Sequence, residues 1–171
     1  MLLDNAKVND LTRQILGAAI EVHRQLGPGL LESVYLFCFQ FELSARGLRF
    51  STQRAVPIMY KGMLLDACYR VDLIVEDAVV VEIKAVSGLT SAHEAQTLTY
   101  LRLTECPAAL LINFNAARLM DGVRRLLNTR AKDAQPSEAT VQPRRHGVTE
   151  TRGDDSDVQH EDTKPHEDAR R

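Results

Sequence analysis

An aspartate, a glutamate and a lysine, Asp72, Glu82 and Lys84, stand in two apolar stretches of a 171-residue chain, "ACYRVDLIV" (67–75) and "AVVVEIKAV" (78–86). Both stretches have the composition of buried strands, and Glu76-Asp77 between them predicts a β-hairpin. A lone charge in such a strand is costly unless it is paired, hydrated or bound to an ion. Residues two apart share a face, so Glu82 and Lys84 point one way while Val81, Ile83 and Ala85 point the other. Register decides whether Asp72 joins them. A two-residue loop, with Val75 opposite Ala78, turns Asp72 away; a three-residue loop, with Val75 opposite Val79, sets it opposite Glu82. We expect the second register, or a bulge with the same effect, because it gathers both carboxylates and the lysine.

Two close carboxylates repel, and a cation between them relieves the repulsion. Oxygen ligands suit a hard divalent ion, Mg²⁺ or Mn²⁺. Beside a metal-bound water and a phosphodiester, Lys84 could stabilise developing charge or orient the nucleophile. The arrangement D-x9-E-x-K therefore suits metal-assisted phosphodiester hydrolysis. Taken on their own, the three residues are more simply a solvated ion pair of little consequence.

The next helix strengthens the chemical reading. "SAHEAQTLTYLRL" (91–103) opens on Ser91 and Glu94 as an S-x-x-E capping box and carries His93, Gln96 and Tyr100 along one stripe. Gln96 and Tyr100 suit the holding of a lysine, a water or a phosphate near a metal, although a solvated polar face would look the same. His93 reads either as an outward-facing histidine or as a functional one. In "GPGLLESVY" (27–35) the glycines permit unusual backbone angles around Pro28, and Glu32 falls in the first turn of a helix, where its charge complements the dipole. Tyr35, one turn later, is equally a core aromatic with its hydroxyl at the edge.

The elements that must carry these residues are legible in outline. Asn9 or Asp10 caps a first helix with Leu11, Ile15, Ala18, Val22 and Leu26 on its apolar side, ended by "GPG". A second helix from near Leu30 to Gly47 carries Leu31, Val34, Phe37, Cys38, Phe41 and Leu43. Short strands at 48–53 and 56–60 precede the hairpin; "AALLINF" (108–114) is a buried strand and "RLMDGVRRLLN" (118–128) a final helix. The fold class is α/β (α+β), a mixed central sheet flanked by helices.

With 44% apolar and 26% charged residues the chain has an ordinary globular balance, organised as one domain over 1–128. Residues 129–171 have almost no large apolar side chains and read as a disordered charged tail, with His146, His160 and His166 at no metal-binding spacing. Cys38, Cys68 and Cys106 are odd in number and far apart, so all three read as reduced structural thiols, exposure of Cys106 before Pro107 being the lesser alternative. No secretory signal or membrane span is apparent, and a cytoplasmic protein with no membrane attachment is expected. Residues 1–128 carry 13 Lys and Arg against 13 Asp and Glu, and the tail 8 against 10. Such a balance counts against a protein that binds nucleic acid through a strongly basic surface.

The pattern Gly29-Leu30-Leu31-Glu32-Ser33-Val34-Tyr35, followed by "VPIMYKG", "VDLIVED", "VEIKAV", "HEAQTLTYL", "LLINF" and "DGVRRLLN", resembles the GxxExxY family over about residues 9–128. That family is similar to the PD-(D/E)XK nuclease superfamily, whose restriction-endonuclease-like core the resemblance implies here. It implies metal-binding acids at Asp72 and Glu82, the superfamily's lysine at Lys84, an additional first-helix acid at Glu32, and a further ligand in the backbone carbonyl of Ile83. Gln96 and Tyr100 match the QxxxY motif of the nuclease branch found in helicase–nuclease repair enzymes. The implied function is Mg²⁺-dependent hydrolysis of nucleic-acid phosphodiester bonds, of DNA before RNA. Apart from the resemblance, so small a domain has little room for its own DNA-reading element, and a homodimer or a protein partner is expected to supplement it. A non-catalytic binding partner that retains the nuclease fold is the alternative. The chain departs from the pattern at Ala109, where a glycine is expected before "LLINF".

Overall fold

The computed structural model describes residues 4–128, with residues 66–68 described by their backbone only. The expected tail and its histidines lie outside the described residues. Val8, Leu11, Ile15, Ala18, Ala19 and Val22 recur at the steps of a helix face, and that stripe is buried along α1 (Asn5–Leu26). The helix starts earlier than a cap at Asn9 or Asp10 would allow. Asp4 holds the N-cap place, and Asp10 instead accepts hydrogen bonds from Arg13 and Gln14 on the solvent side. Gly27, at φ 65°, ends α1 as expected, its N–H donating to His23 O at 2.8 Å.

In α2 (Glu32–Ala45) the buried residues are Tyr35, Phe39 and Leu43. Of the apolar residues that the helix carries, Leu31, Val34, Phe37 and Phe41 are exposed. The segment is apolar all round, so its periodicity does not choose a face. Packing does: the Tyr35 ring stacks on Phe114 at 4.8 Å and Phe39 meets the same ring edge-on at 6.1 Å. The Tyr35 hydroxyl donates to Gly27 O at 2.6 Å and accepts the Leu30 N–H at 3.1 Å. The tyrosine thus ties the "GPG" turn to the core, which makes it a structural residue.

Five strands, β1 (Phe50–Tyr60), β2 (Met63–Val75), β3 (Val79–Lys84), β4 (Ala108–Asn113) and β5 (Val123–Leu127), form one sheet in the order β1-β2-β3-β4-β5. β3 and β4 are parallel and are joined through α3 (Ser91–Thr104); the other pairings are antiparallel. α1 and α2 cover one face over Leu73, Val75, Val79, Val81, Ile83, Leu110 and Ile112, and α3 covers the other over Val71, Ile74, Val80 and Ala109. This is the expected mixed α/β fold, a central mixed sheet between helices, and Ala109 packs fully buried within it. Among the described residues, no helix is long and apolar enough to cross a membrane.

Two further expectations are corrected. The two short strands are one, β1, in which Gln53 takes a φ of 49° without shifting the register. Cys106 is buried, as the reading of a structural thiol expects, and burial pushes its thiol pKa up. The final helix is a 3-10 turn at Leu119–Gly122 followed by β5. Leu119, Val123, Leu126 and Leu127 fit helical spacing, but the outer edge of β4 offers a ladder, and an unpaired edge is unfavourable. Val123 packs into one core and Leu126 into the other, on opposite faces of the sheet, as a strand permits. Gly122 allows the approach, since a Cβ there would lie 2.6 Å from Asn113 O.

Beyond Leu73 the β1–β2 hairpin has no third strand among the described residues, because β3 pairs with β2 only at Leu73, Ile74 and Val75. The hairpin continues as a two-stranded arm to its Lys61-Gly62 turn. Replacing Tyr35 by Phe keeps the stacked ring and removes both hydroxyl hydrogen bonds. Urea unfolding should show a loss of about 1–3 kcal/mol with the far-UV spectrum unchanged.

Candidate active site

Val75↔Val79, Ile74↔Val80 and Leu73↔Val81 pair across the hairpin, the register of a three-residue loop. It places Asp72 opposite Glu82, as expected from the spacing. The ladder ends at Leu73↔Val81, and the Asp72 carboxylate continues it. Asp72 Oδ2 accepts the Ile83 N–H at 3.0 Å, and Oδ1 accepts a bond from Gln53 Nε2 at 3.2 Å.

Glu82 is 2% exposed. Its Oε1 accepts a hydrogen bond from Lys84 Nζ at 2.6 Å, while Oε2 is buried with no hydrogen-bond partner among the described residues. Burial, and next the charge of Asp72, push its pKa up to about 7 against the pull of Lys84, and Glu32 adds to the rise. For Lys84, burial opposes the charge. The hydrogen bond and charge of Glu82, with Glu32 and Asp72 behind it, outweigh that and hold the ammonium above its ordinary range. Glu32, half-buried at the start of α2, is thus within electrostatic reach of both residues.

Across from them, Gln96 Nε2 donates to the Tyr100 hydroxyl at 2.7 Å. Tyr100 is buried, and burial followed by the Glu82 charge pushes its phenol up to about 12, so it stays a neutral hydroxyl. Asp72, Glu82, Ile83, Lys84, Tyr100 and Gln96 are therefore brought to one end of the sheet, with Glu32 in electrostatic reach. His93 is not part of this group. Thr90 occupies the N-cap of α3 and its N–H donates to His93 Nδ1 at 3.2 Å, so the capping box is Thr90–His93 and not Ser91–Glu94. Glu94 instead lies 3.8 Å from the Arg124 guanidinium.

Gln53, Tyr69 and Asn113 also support the cluster, and nothing in their spacing announces them. Tyr69 meets the Tyr100 ring edge-on at 5.6 Å. Asn113, buried opposite Lys84 in the parallel ladder, accepts the Val86 N–H at 3.1 Å and donates to Val86 O at 2.8 Å. That clamp fixes the chain as it leaves β3. Its one sequence signal is a polar residue inside the apolar run "AALLINF".

Among the described residues, no three His, Cys, Asp or Glu side chains converge into a ready metal cage. The donor chemistry nevertheless fits a hard cation. Glu82 Oε2 is a buried carboxylate oxygen without a donor, beside a second carboxylate, and either a proton or a cation would satisfy it. Fold and cluster together define an α/β domain with a carboxylate–lysine site at the open end of its sheet. The chain belongs to the PD-(D/E)XK nuclease superfamily, whose family model matches residues 9–126. No curated protein and no solved structure matches it.

The raised pKa of Glu82 has a thermodynamic consequence. The folded chain holds this proton more tightly than the unfolded chain, so the stabilisation is complete below the ordinary value of 4.5 and is lost as pH rises through about 7. In EDTA, urea unfolding of the wild type should lose about 3 kcal/mol across that window, to order of magnitude. Glu82→Gln should flatten the profile. A wild type already flat would show that the carboxylate is not desolvated.

Proposed function

We propose that this chain is a Mg²⁺- or Mn²⁺-dependent nuclease of the GxxExxY branch, hydrolysing phosphodiester bonds in DNA ahead of RNA. The observation that carries the reading is the unpartnered, buried Oε2 of Glu82 beside Asp72 and Lys84. Asp72 and Glu82 would hold the ion, with Glu32 and the Ile83 carbonyl as further ligands. When bound, the ion supplies Lewis acidity and a water of lowered pKa.

The remaining work falls to the chain's own side chains. Lys84, held at 2.6 Å from Glu82 Oε1, presents an ammonium for the charge that develops on the phosphate oxygens. The Asp72 hydrogen bond to the Ile83 N–H holds β2 against β3 between the two acids. Gln96 orients the Tyr100 hydroxyl towards the same space. Exclusion of water from Glu82 strengthens each of these interactions.

A near-neutral domain still has a place for a polyanion. Residues 53–71 contain Arg54, Lys61 and Arg70 against Asp66 alone, on the arm that leads from the site. Met59, Tyr60 and Met63 are exposed at its tip, next to Lys61. Free Cys38 and Cys106 suit a reducing, cytoplasmic setting. The second reading, a non-catalytic partner on the same fold, is favoured by the small size of the domain and its balance of 13 Lys and Arg against 13 Asp and Glu over residues 1–128.

The deciding experiment is a Mg²⁺ and Mn²⁺ titration of cleavage by the purified full chain on single-stranded, duplex and branched DNA and on RNA. Lys84→Ala and Glu82→Ala should each lower turnover by at least ~100-fold while the domain stays folded. Activity surviving both changes would sink the nuclease reading. If the wild type cleaves none of these substrates and calorimetry detects no Mg²⁺ or Mn²⁺ binding that Asp72→Asn alters, the partner reading stands. A double change of Lys61 and Arg70 to Glu should raise KM steeply at low salt and leave kcat nearly unchanged.

A further inference from the structure

A surface helix of a lone domain normally turns charged residues to water. The sequence of α2, "ESVYLFCFQFELSA", contains only Glu32 and Glu42 as charged residues. Glu32 is half-buried within electrostatic reach of the Glu82–Lys84 pair, and Glu42 forms an ion pair with Arg46. Opposite the buried Tyr35–Phe39–Leu43 line, the outer stripe runs Val34, Phe37 and Phe41, with Leu30 and Leu31 at its upper end. Phe37 is 75% exposed, Phe41 69% and Leu31 73%.

We propose that this face is the interface through which two copies of the chain pair about a two-fold axis. Residues 129–171 contain no Leu, Ile, Met, Phe, Tyr or Trp, so they lack the side chains to cover two phenylalanines. The stripe is complementary to itself. Antiparallel crossing of two α2 helices sets Phe37 of each copy against Phe41 of the other, and Val34 against the small Ser44 and Ala45. With equal numbers of acidic and basic residues over 1–128, two copies meet without strong mutual repulsion.

The area suffices. Two phenylalanines about three-quarters exposed present roughly 300 Å². Leu30, Leu31 and Val34 bring the apolar patch to about 500 Å², near the upper end of what monomers expose. A rim of Ser33, Gln40 and Ser44 extends it towards the ~800 Å² per partner of a stable interface.

Sedimentation equilibrium of the full-length chain over a concentration series is the test. The wild type should run at twice the chain mass of 19.1 kDa. The double variant Phe37→Glu, Phe41→Glu should run at the single mass with an unchanged far-UV spectrum, because both side chains already face water in the lone domain. Phe37→Leu with Phe41→Leu should still pair. A wild type that is monomeric throughout would overturn the proposal and leave a different protein as the occupant; a dimer surviving the double Glu change would overturn it as well.

Discussion

One residue more or less in the loop between β2 and β3 would turn every side chain of β3 to the opposite face of the sheet. The three-residue loop is therefore the constraint on which the site depends. It is held from outside the hairpin: the Arg49 N–H donates to Glu76 Oε1 at 2.7 Å, its guanidinium reaches Oε2, and the Glu76 N–H donates to Arg49 O at 2.9 Å. Glu76 and Asp77 both take φ near 50°, a left-handed geometry that short polar turns accommodate. With that register in place, Val79, Val81 and Ile83 enter the α1–α2 core, Val80 enters the α3 core, and Glu82 meets Asp72.

The apolar sandwich around β3 and the charge cluster at its end are opposed in energy. A buried carboxylate with one oxygen unpartnered destabilises the fold, and an adjacent aspartate increases that cost. Rigid surroundings keep the arrangement from relaxing. Asn113 clamps Val86 just past Lys84, Tyr35 ties the turn before Glu32 to Phe114, and Asp72 closes the end of the ladder on Ile83. Polar groups held in this way resemble a preorganised site, in which the cost is met by the remainder of the fold.

Much of this was legible because strand chemistry has a short period. Alternation in "AVVVEIKAV" identifies the shared face of Glu82 and Lys84, and the loop count brings Asp72 to it. Gln96 and Tyr100 follow from helical spacing. Asymmetry inside α2 was not legible, since apolar residues surround the helix and only the Phe114 ring determines that Tyr35 and Phe39 turn inward. The same holds for "RLMDGVRRLLN", where helical spacing gave way to the free edge of β4. His93 was ambiguous because an outward-facing and a functional histidine have the same helical spacing, and the bond from the Thr90 N–H to its Nδ1 gives it a capping role.

The sequence by itself determined the elements from α1 to β4 in outline, the hairpin register, and the residue types that meet at the end of β3, because these follow mainly from side-chain period and loop length along the chain. Only the tertiary structure decided that Gln53 and Asn113 support the cluster, that Glu82 Oε2 is left without a partner, and that Phe37 and Phe41 face outward. Each of these depends on which distant surfaces exclude water from a side chain. Burial of that kind belongs to the packed layers and to no single segment.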